Sequence, residues 1–253
     1  MKAIVSTGAL ALALALGGCG DGGDGNTSSG TAGTGTGTTA AAVPAPNGGD
    51  WSQTVTQTAE GGFLMGNPDA QVKIVEFASM TCPHCAEFSE TGVPALTEKY
   101  IKTGQASLEF RNFVRDPADL AASLLARCGG PTPFFKLSDQ IFAAQEEWIG
   151  KLQAMTPAQM QALQSVPPQQ AVATMADSAG LIDFVRVRGI PTEKARQCLG
   201  NQEELNKLVA MQQKITTDHP DFPGTPSFLI NGELAQNTSN WAALEPKIAE
   251  ALR

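Results

Sequence analysis

The spacing of apolar positions changes several times along the chain. Val72-Lys73-Ile74-Val75-Glu76-Phe77 is short and nearly continuous in apolar character, which predicts a buried strand. Ser107 to Val114 places Leu108, Phe110 and Asn112 at alternate positions and predicts a second strand. Trp51 to Gln57 alternates more weakly and reads as an edge strand broken by Gly61-Gly62, and Asn67-Pro68-Asp69 marks a turn. Between the two strong strands, Glu87 to Tyr100 fits a helix bent near Gly92-Val93-Pro94.

From Asp116 the period becomes helical. Pro117 to Arg127 carries Leu120, Leu124 and Leu125 at helical spacing behind Asp116 as N-cap. Further helices are predicted over Pro133 to Trp148, Pro157 to Gln164, Pro168 to Ala179, Pro191 to Leu199 and Gln202 to Thr217. In the last of these, Leu205, Leu208, Val209 and Gln212 mark the inner face. Strand character returns at Ser227-Phe228-Leu229-Ile230, followed by the hairpin signal Asn231-Gly232, a return strand over Glu233 to Gln236 and an amphipathic helix over Trp241 to Leu252. The order describes an α/β unit interrupted by an all-helical insertion.

The N-terminus has a different character. Lys2 precedes an apolar run, Ala9 to Leu16, which is too short to span a bilayer and reads as a signal peptide over residues 1–18. Leu16-Gly17-Gly18-Cys19 resembles a bacterial lipoprotein signal, which implies cleavage before Cys19 and its lipidation. The alternative is an ordinary cleaved signal with a chance cysteine. Either reading implies export to the periplasmic side of a membrane, where disulfide chemistry is permitted. By the resemblance to lipoproteins, Gly20 in place of the aspartate that signals inner-membrane retention in enteric ones implies the outer membrane. Residues 19–50 are dominated by Gly, Thr, Ser, Ala and Asp, a composition that cannot bury enough apolar area to order itself, and they read as a flexible tether.

The charge, 17 Lys and Arg against 25 Asp and Glu without a basic cluster, argues against nucleic acid as a partner. Nothing suggests an oligomerisation segment, and a monomer is expected. The five cysteines sort into one, two and two. Cys19 belongs to the signal. Cys82-Pro83-His84-Cys85 follows the best strand at the start of a helix. Cys128 and Cys198 remain; in an exported protein they read as a structural disulfide, with a second redox pair as the sharper alternative.

Cys82 at a helix N-terminus has its thiolate favoured by backbone N–H groups and the macrodipole, and His84 can add positive charge beside it. Cys85, one turn further in, is expected to be more buried and to resolve a mixed disulfide on Cys82. Glu76, an acid inside an apolar strand, should have a raised pKa if it is buried, and the alternative is a solvated edge position. Phe77, Phe228, Trp148, Trp241 and His219 read as structural. No cofactor is required, and a zinc reading lacks further ligands at suitable spacing.

Taken together, Val75-Glu76-Phe77-Ala78-Ser79-Met80-Thr81-Cys82-Pro83-His84-Cys85, the helical block and Gly224-Thr225-Pro226-Ser227-Phe228 resemble the DsbA-like thiol–disulfide oxidoreductases of the thioredoxin superfamily over Trp51 to Arg253. The resemblance implies a thioredoxin fold, a central mixed sheet flanked by helices, over 51–115 and 219–253, with a helical insertion over 116–218. It implies that Pro226 is the cis-proline beside the thiols, that Glu76 relays protons for Cys85, and that the Pro83-His84 dipeptide tunes the pair toward oxidation. The implied partners are unfolded exported proteins with thiols and a membrane protein that reoxidises the pair. Thr225 stands where several DsbA oxidases carry valine, which keeps an isomerase or reductase reading open. A metal chaperone using Cys82, Cys85 and His84, and a binding module with an inert Cys-x-x-Cys, are the rivals from other classes.

Overall fold

The computed structural model describes residues 42–253; the signal peptide, Cys19 and the expected tether up to residue 41 lie outside the described residues. The strand with the strongest sequence pattern, β3 (Val72–Ala78), occupies an inner place in a six-stranded sheet of order β1-β2-β4-β3-β5-β6. Before it come β1 (Val55–Gln57), an edge strand as its weak alternation predicts, and β2 (Phe63–Gly66). After it come β4 (Ala106–Asn112), β5 (Ser227–Ile230) and β6 (Glu233–Leu234). Only β3 and β4 run parallel, and the other pairs are antiparallel, so the sheet is mixed. Strand β2 has no counterpart in the sequence reading. Three residues between Gly62 and Gly66 offer too short an alternation, and pairing of the strand on both sides, to β1 and β4, supplies what local pattern does not. Asn231 (φ 50°) and Gly232 (φ 91°) turn β5 into β6 through left-handed backbone that this pair adopts readily.

Side chains alternate across β3. Val72, Ile74, Glu76 and Ala78 face the main core, whereas Val75 and Phe77 face the opposite side with Leu229 and Ile215. The main-core face carries the helical segment that follows Cys82. It opens as α1 (Pro83–Glu87), widens into a π turn over Phe88–Gly92, tightens as α2 (Val93–Leu96) and widens again over Thr97–Ile101. Pro94, which cannot donate a backbone hydrogen bond, is accommodated by these wide turns rather than by a break. Gly92 is required by packing: a Cβ there would lie 2.4 Å from the Phe88 ring, which itself packs on Phe228 at 4.7 Å.

Eight helices lie between β4 and β5 among the described residues, two more than the sequence predicts. They are α3 (Pro117–Arg127), α4 (Pro131–Ala143), α5 (Gln145–Gln153), α6 (Pro157–Gln164), α7 (Pro168–Ser178), α8 (Leu181–Arg186), α9 (Thr192–Leu199) and α10 (Gln202–Asp218). The single helix expected over 133–148 is two, divided at Ala144 where neither Gly nor Pro marks a break. The inner face of α10 also differs: Leu208, Met211 and Ile215 are buried, while Val209 is 43% exposed. That face shifts because α10 covers the second side of the sheet, where Ile215 joins Phe77 and Leu229. A final helix, α11 (Trp241–Ala251), returns to the main core through Leu244 and Ile248.

Insertion and sheet share one continuous apolar core. Phe134 of α4 packs 4.2 Å from Phe63 and 5.3 Å from Phe110, centroid to centroid. Arg127 at the end of α3 is buried under the same layer. It donates to Glu204 of α10, to Asn112 of β4 and to the Gly61 carbonyl, and it lies over the Phe63 ring. Every direction of that guanidinium is therefore compensated, as a buried charge requires.

Candidate active site

β3 ends at Ala78, and the chain turns through Ser79-Met80-Thr81 with the Cys82 N–H donating to the Ser79 carbonyl at 3.1 Å. Pro83 at the first helical position suits this start, since its missing N–H would have had no intrahelical partner. Cys82 is the N-cap, with extended backbone (φ −87°, ψ 120°). Its sulfur is held as a thiolate with a pKa lowered to about 5. The largest cause is a hydrogen bond from the Cys85 thiol; partial burial opposes it, and Thr225 and the backbone N–H groups of Cys85 and His84 add to it. In the thiol form, Cys82 Sγ donates to the Thr225 carbonyl at 3.2 Å. The Thr225 hydroxyl is buried without another partner, and beside the sulfur it is free to donate to the thiolate. The Thr225–Pro226 peptide is cis.

Cys85 is fully buried and its thiol is pushed far up, by burial first, then by its hydrogen bond to Cys82 and by the nearby charge of Glu76. Glu76, in β3, is 2% exposed and near enough for its charge to act on Cys85. Burial, with the negative charges of Asp139 and Cys82 added, pushes its pKa up to about 8. The carboxyl is thus protonated at neutral pH and carries a proton in the same core that buries Cys85. Asp139 of α4 sits at the solvent side, where its Oδ1 accepts from Ser89 Oγ at 2.8 Å.

The dipeptide between the cysteines divides unequally. Pro83 shapes the backbone. The His84 imidazole is exposed and faces Glu87 Oε2 at 3.6 Å, so the contribution of His84 to the sulfur comes from its backbone N–H rather than from ring charge. Among the described residues no three His, Cys, Asp or Glu side chains are gathered to hold a metal ion.

Three residues of the insertion that the sequence reading did not assign to the site hold the loop before Cys82. Asp116, recognised there only as a helix cap, uses Oδ1 for the N–H groups of Ala118 and Asp119 and Oδ2 to accept from Thr81 Oγ1 at 3.0 Å. Asp119 is fully buried and accepts from Ser79 Oγ, the Met80 N–H, the Arg115 N–H and Ser123 Oγ. Gln145, the first residue of α5, donates from Nε2 to the carbonyls of Met80 (2.8 Å) and Cys82 (3.0 Å). The pattern Asp-x-x-Asp at the start of α3 carried a faint signal for the first two; nothing local marks Gln145.

A groove of about 570 Å³ lies along the reactive helix, between Pro83, Ala86, Ser89 and Pro94 on one side and Asp139 and Phe142 on the other. Cys128 and Cys198, neither of which lines this groove, form a disulfide that joins the end of α3 to the last turn of α9. Cys19 lies outside the described residues. Among the described residues no helix is long and apolar enough to cross a membrane.

With this geometry in view, the comparisons are specific. The sequence signature of the thioredoxin family matches residues 58–250. The chain belongs to the thioredoxin family. It is 33% identical over 196 residues to a Rickettsia bellii protein that carries the name protein-disulfide oxidoreductase, covering 76% of this chain and 66% of that one. Its Rickettsia prowazekii counterpart is 31% identical and is covered to 57%, so the chain spans less than two thirds of these relatives. Among solved structures, the protein-disulfide isomerase of Novosphingobium aromaticivorans superposes with a TM-score of 0.71 at 35% identity, over 75% of this chain and 96% of that one. Wolbachia pipientis alpha-DsbA1 follows with a TM-score of 0.59 at 21% identity, over 75% and 89%, a likeness of fold.

Proposed function

We propose that this protein is an extracytoplasmic thiol–disulfide oxidoreductase that oxidises cysteine pairs of exported proteins through Cys82 and Cys85. The observation that carries the reading is the asymmetry of the pair: one sulfur stabilised as an anion at a helix N-terminus, the other buried as a thiol beside a protonated carboxyl. A stabilised Cys82 thiolate belongs to the reduced state, so the Cys82–Cys85 disulfide readily accepts two electrons. A client thiolate attacks Cys82 Sγ and breaks the Cys82–Cys85 bond. The electron pair leaves on Cys85, which takes a proton from the Glu76 carboxyl. The second client thiolate then attacks the client sulfur of the mixed disulfide and releases Cys82 as a thiolate. One client disulfide is gained and the enzyme disulfide becomes a dithiol. Recovery of the oxidised enzyme needs an electron acceptor, a membrane redox partner in this reading, and the signal-like N-terminus with Cys19 would keep the enzyme near it as a lipid-anchored, periplasmic protein.

A second reading, an isomerase or reductase kept in the dithiol form, is supported by Thr225 before the cis-proline and by the name of the Novosphingobium relative. Two measurements separate them. Oxidised protein should restore disulfides to reduced ribonuclease stoichiometrically, and alkylation of intact cells should find Cys82–Cys85 mainly as a disulfide. A pair found mainly as dithiol overturns the oxidase direction. Failure of Cys85→Ser to accumulate mixed disulfides on Cys82 overturns the exchange chemistry altogether.

A further inference from the structure

Cys82 gains from the helix N-terminus only while its sulfur stays over the N–H groups of His84 and Cys85. That position depends on the Cys82 backbone, and the Cys82 carbonyl is the group through which the backbone can be held. The carbonyl accepts the Ala86 N–H at 3.1 Å, which begins the helix, and Gln145 Nε2 at 3.0 Å. The same nitrogen bonds the Met80 carbonyl at 2.8 Å, two residues upstream. Both hydrogens of one amide are thus committed to the two carbonyls that bracket Thr81. Gln145 is itself 6% exposed, and it reaches the loop from the insertion rather than from the sheet.

The local structure of the insertion favours this contact. α4 stops at Ala143 and α5 starts at Gln145 without a helix-breaking residue between them. The turn at Ala144 aims Gln145 at the loop and tucks Trp148 back on α4, where its Nε1 donates to the Ile141 carbonyl at 3.0 Å. An uninterrupted helix would direct residue 145 elsewhere, because successive helical positions are fixed relative to the axis.

We propose that Gln145 is a positioning residue for the redox pair: by holding the carbonyls of Met80 and Cys82 it keeps the Cys82 sulfur at the helix N-terminus and so sets how oxidising the disulfide is. The proposal rests on the exchange chemistry proposed above. It concerns, however, the ionisation of Cys82, which can be measured whichever direction the enzyme runs.

The test compares native protein with Gln145→Met, which keeps the length of the side chain and removes both donors. Half-ionisation of Cys82, read from the pH dependence of iodoacetamide alkylation, should rise by about one pH unit. The equilibrium with glutathione at pH 7 should move about tenfold toward the disulfide, the size of one or two lost hydrogen bonds. A merely structural Gln145 would lower the melting temperature and leave both readouts where they are, and that result overturns the proposal. A second measurement needs no variant. In the native reduced protein, the Gln145 side-chain amide protons should be protected from solvent exchange and should shift on oxidation. Rapid exchange with no redox response also overturns the proposal. Failure of the native protein to exchange with glutathione at all would instead reject the function, with the ionisation comparison still readable.

Discussion

The two cysteine pairs of this protein sit at opposite ends of helices. Cys82 caps the N-terminus of α1, whereas Cys128 caps the C-terminus of α3 and Cys198 lies in the last turn of α9. At an N-terminus, unpaired N–H groups lower the energy of a thiolate; at a C-terminus, unpaired carbonyls raise it. Exposure runs opposite to intuition: Cys82 and Cys85 are 2% and 0% exposed, while Cys128 and Cys198 are half-buried and bonded. The difference teaches that the hydrogen-bond donors around each sulfur, first the Cys85 thiol and then the N–H groups of the helix N-terminus, rather than access to solvent, separate a thiolate-stabilising pair from a closed disulfide.

The sharpest way to break this comparison is to disable each pair in turn. Cys82→Ser should abolish turnover of reduced ribonuclease, and Cys128→Ala with Cys198→Ala should leave it within about twofold, because the bond lies away from the exchange site. Next in size is the ionisation of Cys82. Its alkylation rate should be half-maximal near pH 5, against the usual thiol value near 9, and a midpoint above pH 8 would remove the basis of the contrast. Since this pKa is depressed, the thiolate's contribution to the stability of the reduced fold is complete above pH 9 and is lost as pH falls through 5.

The second pair is tested by stability. It closes a loop of 70 residues, and its removal should cost about 4 kcal/mol in chemical denaturation. Glu76 gives a smaller effect of opposite pH dependence. Its raised pKa means that its contribution is complete below about 4.5 and is lost as pH rises through about 8, because the unfolded chain sheds the proton first. Melting of the oxidised protein, in which Cys82 does not titrate, should therefore decline with rising pH over that window, and Glu76→Gln should flatten the decline. The smallest effect belongs to His84→Ala. With an exposed ring facing Glu87, it should move Cys82 ionisation by less than about half a pH unit; a larger movement would restore ring charge as the tuning agent.

Much of the architecture was legible because it is written in local period. β3, α3 and β5 carry the pattern of what they bury, and Asn231-Gly232 carries its turn chemistry. Strand β2, the division at Ala144 and the outward-facing Val209 were not legible, since each answers to a neighbour distant in sequence: β4, the loop before Cys82 and the second sheet face. The site shows the same split. Cys82, Cys85 and Glu76 stand out by residue type and spacing, and the Thr225–Pro226 segment through the family resemblance. Asp119 and Gln145, which hold the loop, are an acid and an amide in helices where such residues usually face water.

The sequence by itself determined the Cys82-Pro83-His84-Cys85 frame, the strong strands and most of the helices, and the acid placed among apolar neighbours in a central strand. Those are consequences of bonding along the chain and of period-two or helical burial. Only the tertiary structure decided which protons and dipoles surround each sulfur. The Thr225 carbonyl, the buried Glu76 carboxyl and the Gln145 amide arrive from segments far apart in sequence, and electrostatic energy depends on distance in space and on exclusion of water, neither of which the chain order records.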